Sequence, residues 1–104
     1  MAAPFNPPVK GEEFQFDVGL PSIASGGRFK TDPTLAAGDA KVYKDGGAGA
    51  TLTNIPTCVT GTVVVKVSLT ATEMDADKVS VVFSDLTATP EWGDVFVCIP
   101  TTSA

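Results

Sequence analysis

Thr62-Val63-Val64-Val65-Lys66-Val67-Ser68-Leu69 (TVVVKVSL) is the stretch on which the fold turns. In an extended chain Val63, Val65, Val67 and Leu69 fall on one side, and Val64, Lys66 and Ser68 on the other. A helix would scatter these valines around its axis and crowd their branched Cβ atoms against the preceding turn. The pattern therefore predicts a half-buried strand. The same period returns on either side. Glu12 to Leu20 alternates Phe14, Phe16, Val18 and Leu20 against Glu13, Gln15 and Asp17, and Lys78 to Ser84 sends Val79, Val81 and Phe83 inward.

The segments between these strands read as turns. Asp45-Gly46-Gly47 separates AKVYK (40–44) from ATLT (50–53), and Asp-Gly between apolar runs is a hairpin signal because both residues tolerate φ > 0. Thr70-Ala71-Thr72-Glu73 has the form of a capping box, a hydroxyl followed three residues later by a carboxylate. The helix it would open has one turn at most, since Asp75-Ala76-Asp77 leads straight into the next strand. Residues 21–39, with prolines at 21 and 33 and glycines at 26, 27 and 38, read as loop with one short strand at Arg28-Phe29-Lys30. Asp85 to Pro90 turns, and Trp92 to Ile99 closes the set. Six or seven short strands and almost no helical period predict a small antiparallel β-sandwich of the immunoglobulin-like kind.

The 104 residues suit one domain, and 43% hydrophobic against 18% charged residues is the balance of a packed core. The first eleven residues, MAAPFNPPVKG, hold three prolines and no period, so they read as an extended arm ahead of a single domain at 12–104. No window approaches the ~18 consecutive apolar residues of a membrane span, and MAAPFNPPVK lacks a basic-then-apolar signal pattern. The expected address is the cytoplasm, or a particle assembled there, with no membrane partner. Net charge is −5, and the seven Lys and Arg residues form no run to neutralise a phosphate backbone, which disfavours nucleic acid.

The residues that would carry chemistry are sparse. Histidine is absent, so the commonest general base is missing. None of the six serines lies in a Gly-x-Ser-x-Gly elbow, and nothing in the spacing points to a Ser–Lys pair. Cys58 and Cys98 with no histidine do not make a four-ligand zinc site, and read as two small buried thiols. A disulfide between them becomes reasonable only for a particle that lives outside the cell. Asp75, Asp77, Asp85 and Asp94 stand in or near turns without the glycine and glutamate of an EF-hand loop, so they read as solvated carboxylates. Gly46, Gly47 and Gly49 do not follow a phosphate-loop spacing. No catalytic residue, cofactor or metal is expected.

What remains is surface. In the closing strand Trp92, Asp94, Phe96 and Cys98 share one face, and Val95, Val97 and Ile99 share the other. Only one face of a two-layer sandwich meets the core, so the second needs a cover. Val64 and Val82 raise the same requirement on their strands. The arm, through Phe5, Pro7, Pro8 and Val9, would supply the cover or anchor the chain to a neighbour. The expected partner-binding set is thus Phe5, Pro7, Pro8, Val9, Val64, Trp92 and Phe96.

FQFDVGLPSIASGGRFKTDPTLAAGDAKVYKDGG (14–47) and VVVKVSLTATEMDADKVSVVFSDLTATPEWGDV (63–95) together resemble a family of small proteins and N-terminal modules encoded in tailed bacteriophages. The resembling motifs are Phe29 to Asp39, the Lys44-Asp45-Gly46-Gly47 turn, Leu69 to Asp77, Phe83-Ser84-Asp85 and the late Trp92. The resemblance runs from about residue 14 to 97 and carries no catalytic residues over. It implies a non-enzymatic virion component present in many copies or as a homo-oligomer. A capsid decoration (cement) protein on the major capsid protein is the first expectation. The alternative it implies, from longer relatives, is a tail or baseplate adaptor that attaches a fibre or receptor-binding protein.

Overall fold

The structure, a computed structural model, describes residues 7–102. Seven strands form in chain order: β1 (Phe14–Val18), β2 (Ala40–Lys44), β3 (Ala50–Thr51), β4 (Thr57–Cys58), β5 (Val65–Leu69), β6 (Lys78–Phe83) and β7 (Val95–Pro100). They build two antiparallel sheets, a three-stranded one in the order β1-β5-β4 and a four-stranded one in the order β3-β2-β6-β7. No helix occurs among the described residues. The chain is all-β.

The alternation that identifies the strands also sets the core. Val65, Val67 and Leu69 of β5 and Val79, Val81 and Phe83 of β6 are each at most 1% exposed, and they meet between the two sheets. Phe14, Phe16 and Val18 of β1 stay half-buried because β1 is an edge strand, and they pack against this centre from the side. On β7, Ile99 is buried and Val95 and Val97 are half-buried, while Phe96 and Cys98 face out. Burying six such side chains at ~1.5–3 kcal/mol each is the main term holding the sheets together.

The ladder registers give the molecule two ends. Phe14 opposes Leu69, Lys44 opposes Val79 and Lys78 opposes Pro100, which gathers the 45–49 loop, Thr70 to Asp77 and Thr102 at one end. At that arm end Thr102 forms a parallel bridge with Val9, Lys10 N–H donates to Thr102 O (2.9 Å), and Thr102 N–H donates to Pro8 O (2.9 Å). Gly11 N–H donates to Met74 O at 3.0 Å. From Pro8 onward the proline-rich segment is therefore bonded to its own domain, and it turns at Lys10-Gly11, where Glu12 N–H donates to Val9 O (3.1 Å). Val18 opposes Val65, Ala40 opposes Phe83 and Phe83 opposes Val95, so Gly19 to Asp39, Val59 to Val64 and Ser84 to Asp94 form the opposite, loop end.

Three buried carboxylates hold the loops by accepting backbone hydrogen bonds. The capping box closes reciprocally: Thr70 N–H donates to Glu73 Oε1 (2.8 Å), and Glu73 N–H donates to Thr70 Oγ1 (3.2 Å). Glu73 Oε2 accepts from Thr53 N–H (2.9 Å), tying the one-turn cap to the segment after β3. Asp39 accepts from Ala36 N–H (2.9 Å), and Asp85 accepts from Glu91 N–H (2.7 Å) and Thr87 N–H (3.1 Å). At the Asp-Gly turn both φ angles are positive, 50° at Asp45 and 75° at Gly46. There the Asp45 carboxylate also accepts from Lys78 N–H (2.9 Å). No buried side-chain N or O lacks a partner among the described residues.

Candidate interaction surface

The residues expected to meet a partner separate in the structure. Phe5 lies outside the described residues. Pro7 is exposed, and Pro8 and Val9 are half-buried at the arm end. Phe96, 66% exposed, stands on the outer face of the four-stranded sheet opposite Val82, with Cys98 beside it. Val64 is 37% exposed at the loop end, where β5 begins. These residues do not converge on one patch.

Trp92 is a correction. It is 1% exposed, and its indole Nε1–H donates to Thr34 O at 3.2 Å. The regular strand begins only at Val95, after Gly93 and Asp94, so the outward phase of Phe96 and Cys98 does not extend back to Trp92. Trp92 instead pairs with Ser22, and Gly93 N–H donates to Pro21 O (2.9 Å). Its ring closes the core at the loop end and offers nothing to a partner.

That pairing belongs to a unit of which the sequence showed only the return half, the short extended stretch at Arg28-Phe29-Lys30. Residues 20–30 fold back as a small hairpin: Lys30 N–H donates to Leu20 O (2.7 Å), Ser22 N–H to Arg28 O (2.8 Å), and Pro21 bridges Phe29. Gly27, at φ 84°, makes the reversal in a region where a side chain would be strained. Ile23 N–H then donates to Glu91 O (3.1 Å), which adds the 91–93 segment as a third short strand. The signal was present as Ile23 and Phe29 flanking Gly26-Gly27, but two-residue pairings have no period to detect.

This mini-sheet shapes an open groove of about 630 Å³ lined by Ile23, Arg28, Phe29, Lys30, Pro90 and Glu91, among others. Ile23 and Phe29 are 56% and 57% exposed there. The Phe29 ring lies over Gly19, where a Cβ would come within 2.8 Å of it. A smaller depression on the far side of Phe29 reaches Val63 and Val64. Phe29 is thus the ridge between two hollows, and Val64 is the one sequence-expected partner-binding residue exposed at this end.

The Asp85 carboxylate braces the groove's opposite wall. Burial raises its proton affinity, but the N–H groups of Glu91, Thr87 and Trp92 and the Thr87 hydroxyl more than reverse this, so its pKa lies below the ordinary 3.8. It is 8% exposed, a buried structural anion rather than the solvated turn carboxylate its setting suggested. At the arm end the Asp77 carboxylate hydrogen-bonds the Lys10 ammonium at 3.2 Å and raises the lysine's pKa.

The thiols also differ from expectation. Cys58 is half-buried in the three-stranded sheet, its Sγ–H near Thr62 O (3.3 Å), and Cys98 is exposed on the four-stranded one. Both are free. Among the described residues no serine hydroxyl meets a lysine ammonium, and Ser84 Oγ donates instead to Asp94 (2.8 Å). No three His, Cys, Asp or Glu side chains gather as metal ligands among those residues. Comparison with protein-family models, with curated proteins and with solved structures found no match to this chain.

Proposed function

We propose that the chain is a non-enzymatic structural component of a tailed-phage virion, a capsid decoration (cement) protein that adds contact area between subunits of the major capsid protein. The observation that carries this reading is the exposure of seven large apolar side chains among the described residues, Phe96 at 66% foremost. Phe96 lies on a regular sheet face beside Val82 and Cys98. The buried carboxylates of the fold are meanwhile engaged in bracing loops. The resemblance of residues 14–97 to phage virion modules supports the particle, and the two surfaces, sheet face and loop end, support contact with more than one neighbour.

Within this reading the fold is an immunoglobulin-like sandwich. The order β1-β5-β4 corresponds to strands B-E-D, and β3-β2-β6-β7 to C′-C-F-G. The interior carries a tryptophan, although no disulfide joins the sheets. The groove then lies between the loops that follow strands B and F, at one end of the sandwich.

Quantitative mass spectrometry of purified virions tests the assignment. A decoration protein occurs in hundreds of copies, and Phe96→Asp releases it from the shell. A handful of copies per particle transfers the chain to the tail or baseplate, where it would serve as an adaptor. Absence from the particle removes the reading altogether.

A further inference from the structure

We propose that copies of this chain associate head to tail, the loop-end groove of one copy taking the Glu12-Glu13-Phe14 segment at the arm end of the next. The inference concerns the chain alone and holds whatever particle it belongs to.

Neither cation of the groove has an ion-pair partner among the described residues. Arg28, the only arginine, and Lys30 line it, yet the one ion pair among the described residues is Lys10–Asp77, at the other end. The one carboxylate in the lining, Glu91, accepts from Thr34 N–H at 3.3 Å and forms no ion pair with either cation, which leaves the lining with a net positive charge. Two unpaired cations beside an exposed phenylalanine, on a chain of net charge −5, call for an anionic segment with an apolar side chain.

The arm end presents that chemistry. Glu12 and Glu13 are exposed and make no ion pair among the described residues, and Phe14, half-buried, follows them at the start of edge strand β1. A chain does not satisfy its own groove. Glu13 precedes β1 and the groove hairpin follows it, so the five residues of β1, ~3.3 Å each, hold them apart.

Both halves are stiff before they meet. Gly11 and Glu12 are fixed through bonds to Met74 O (3.0 Å) and Val9 O (3.1 Å), and Phe29 and Ile23 stand on the mini-sheet. Little ordering is therefore required on contact, which favours association by surfaces of this modest size. The contact joins unlike surfaces, so each added copy leaves one groove and one acidic segment free, and the series closes only if its rotation permits.

Sedimentation velocity of the full chain tests this between about 10 µM and about 1 mM, at about 0.02 M and about 0.5 M salt, where charges screen within ~20 Å and ~4 Å. The wild-type mass should climb past a dimer at low salt and fall back at high salt. Arg28→Glu/Lys30→Glu and Glu12→Lys/Glu13→Lys should each lose association by at least about tenfold. Their equimolar mixture should regain it, because the reversed groove then meets the reversed segment. A wild-type chain that stays monomeric, a reversed variant that associates like wild type, or a mixture that fails to recover each overturns the proposal.

Discussion

Replacing Glu73 separates what its two oxygens do from what its charge does. Oε1 accepts from Thr70 N–H (2.8 Å) and Oε2 from Thr53 N–H (2.9 Å), and the residue is 7% exposed. Alanine strips both donors of their partner in a site water barely reaches. A buried unsatisfied group costs ~1–3 kcal/mol, so Glu73→Ala should lose about 3 kcal/mol, allowing for relaxation. Glutamine keeps one acceptor and turns an NH2 group toward the other donor, so Glu73→Gln should lose about half as much. For a domain of this size, with ~5–15 kcal/mol in total, both losses are easily read from urea unfolding. Amide exchange supplies the local check. Thr53 and Thr70 should both speed up in the alanine variant, and only one of them in the glutamine variant. If Glu73→Gln is as stable as wild type, the paired-acceptor account of the cap is wrong.

Other outcomes follow from the same geometry. Because the folded pKa of Asp85 lies below 3.8, its stabilisation is complete above that value and is lost as pH falls through the lower folded value. Asp85→Asn should flatten the melting temperature against pH in that acid range, and an unchanged slope would count against the role given to it. Trp92→Ala should cost ~3–5 kcal/mol and Trp92→Phe distinctly less, read by thermal melts. In the wild type the single tryptophan should emit at short wavelength until unfolding, and a water-like emission in the native state would contradict its burial. A chain beginning at residue 12 loses the bonds of Pro8, Lys10 and Gly11 to Thr102 and Met74, at ~0.5–1.5 kcal/mol each. It should melt below a chain beginning at residue 7, and equal melting would mean that these bonds contribute nothing.

How much of this was legible depended on whether period or pairing did the work. β5 and β6 declared themselves because every second residue is a valine, leucine or phenylalanine, and each of those positions is buried. The Asp45-Gly46 turn and the Thr70–Glu73 box were legible because each is a local bond pattern carried by fixed spacing. Phe96 was read correctly as outward, since β7 keeps its alternation from Val95. Trp92 was not, because Gly93 and Asp94 interrupt the strand and its partner is Ser22, seventy positions earlier. The groove failed for the same reason. Its shape comes from single bridges between distant segments, and such contacts leave no period in the sequence.

The pairing of Val9 with Thr102 also decides how the molecule carries tension. The two segments run in the same direction. Opposed pulls applied at Pro7 and at Thr102 therefore slide the segments along each other rather than peeling them apart. The bonds Lys10 N–H to Thr102 O and Thr102 N–H to Pro8 O are then loaded together. Both must break before the pair parts. A clamp of two hydrogen bonds is small, but it stands where a load drawn between Pro7 and Thr102 would first arrive.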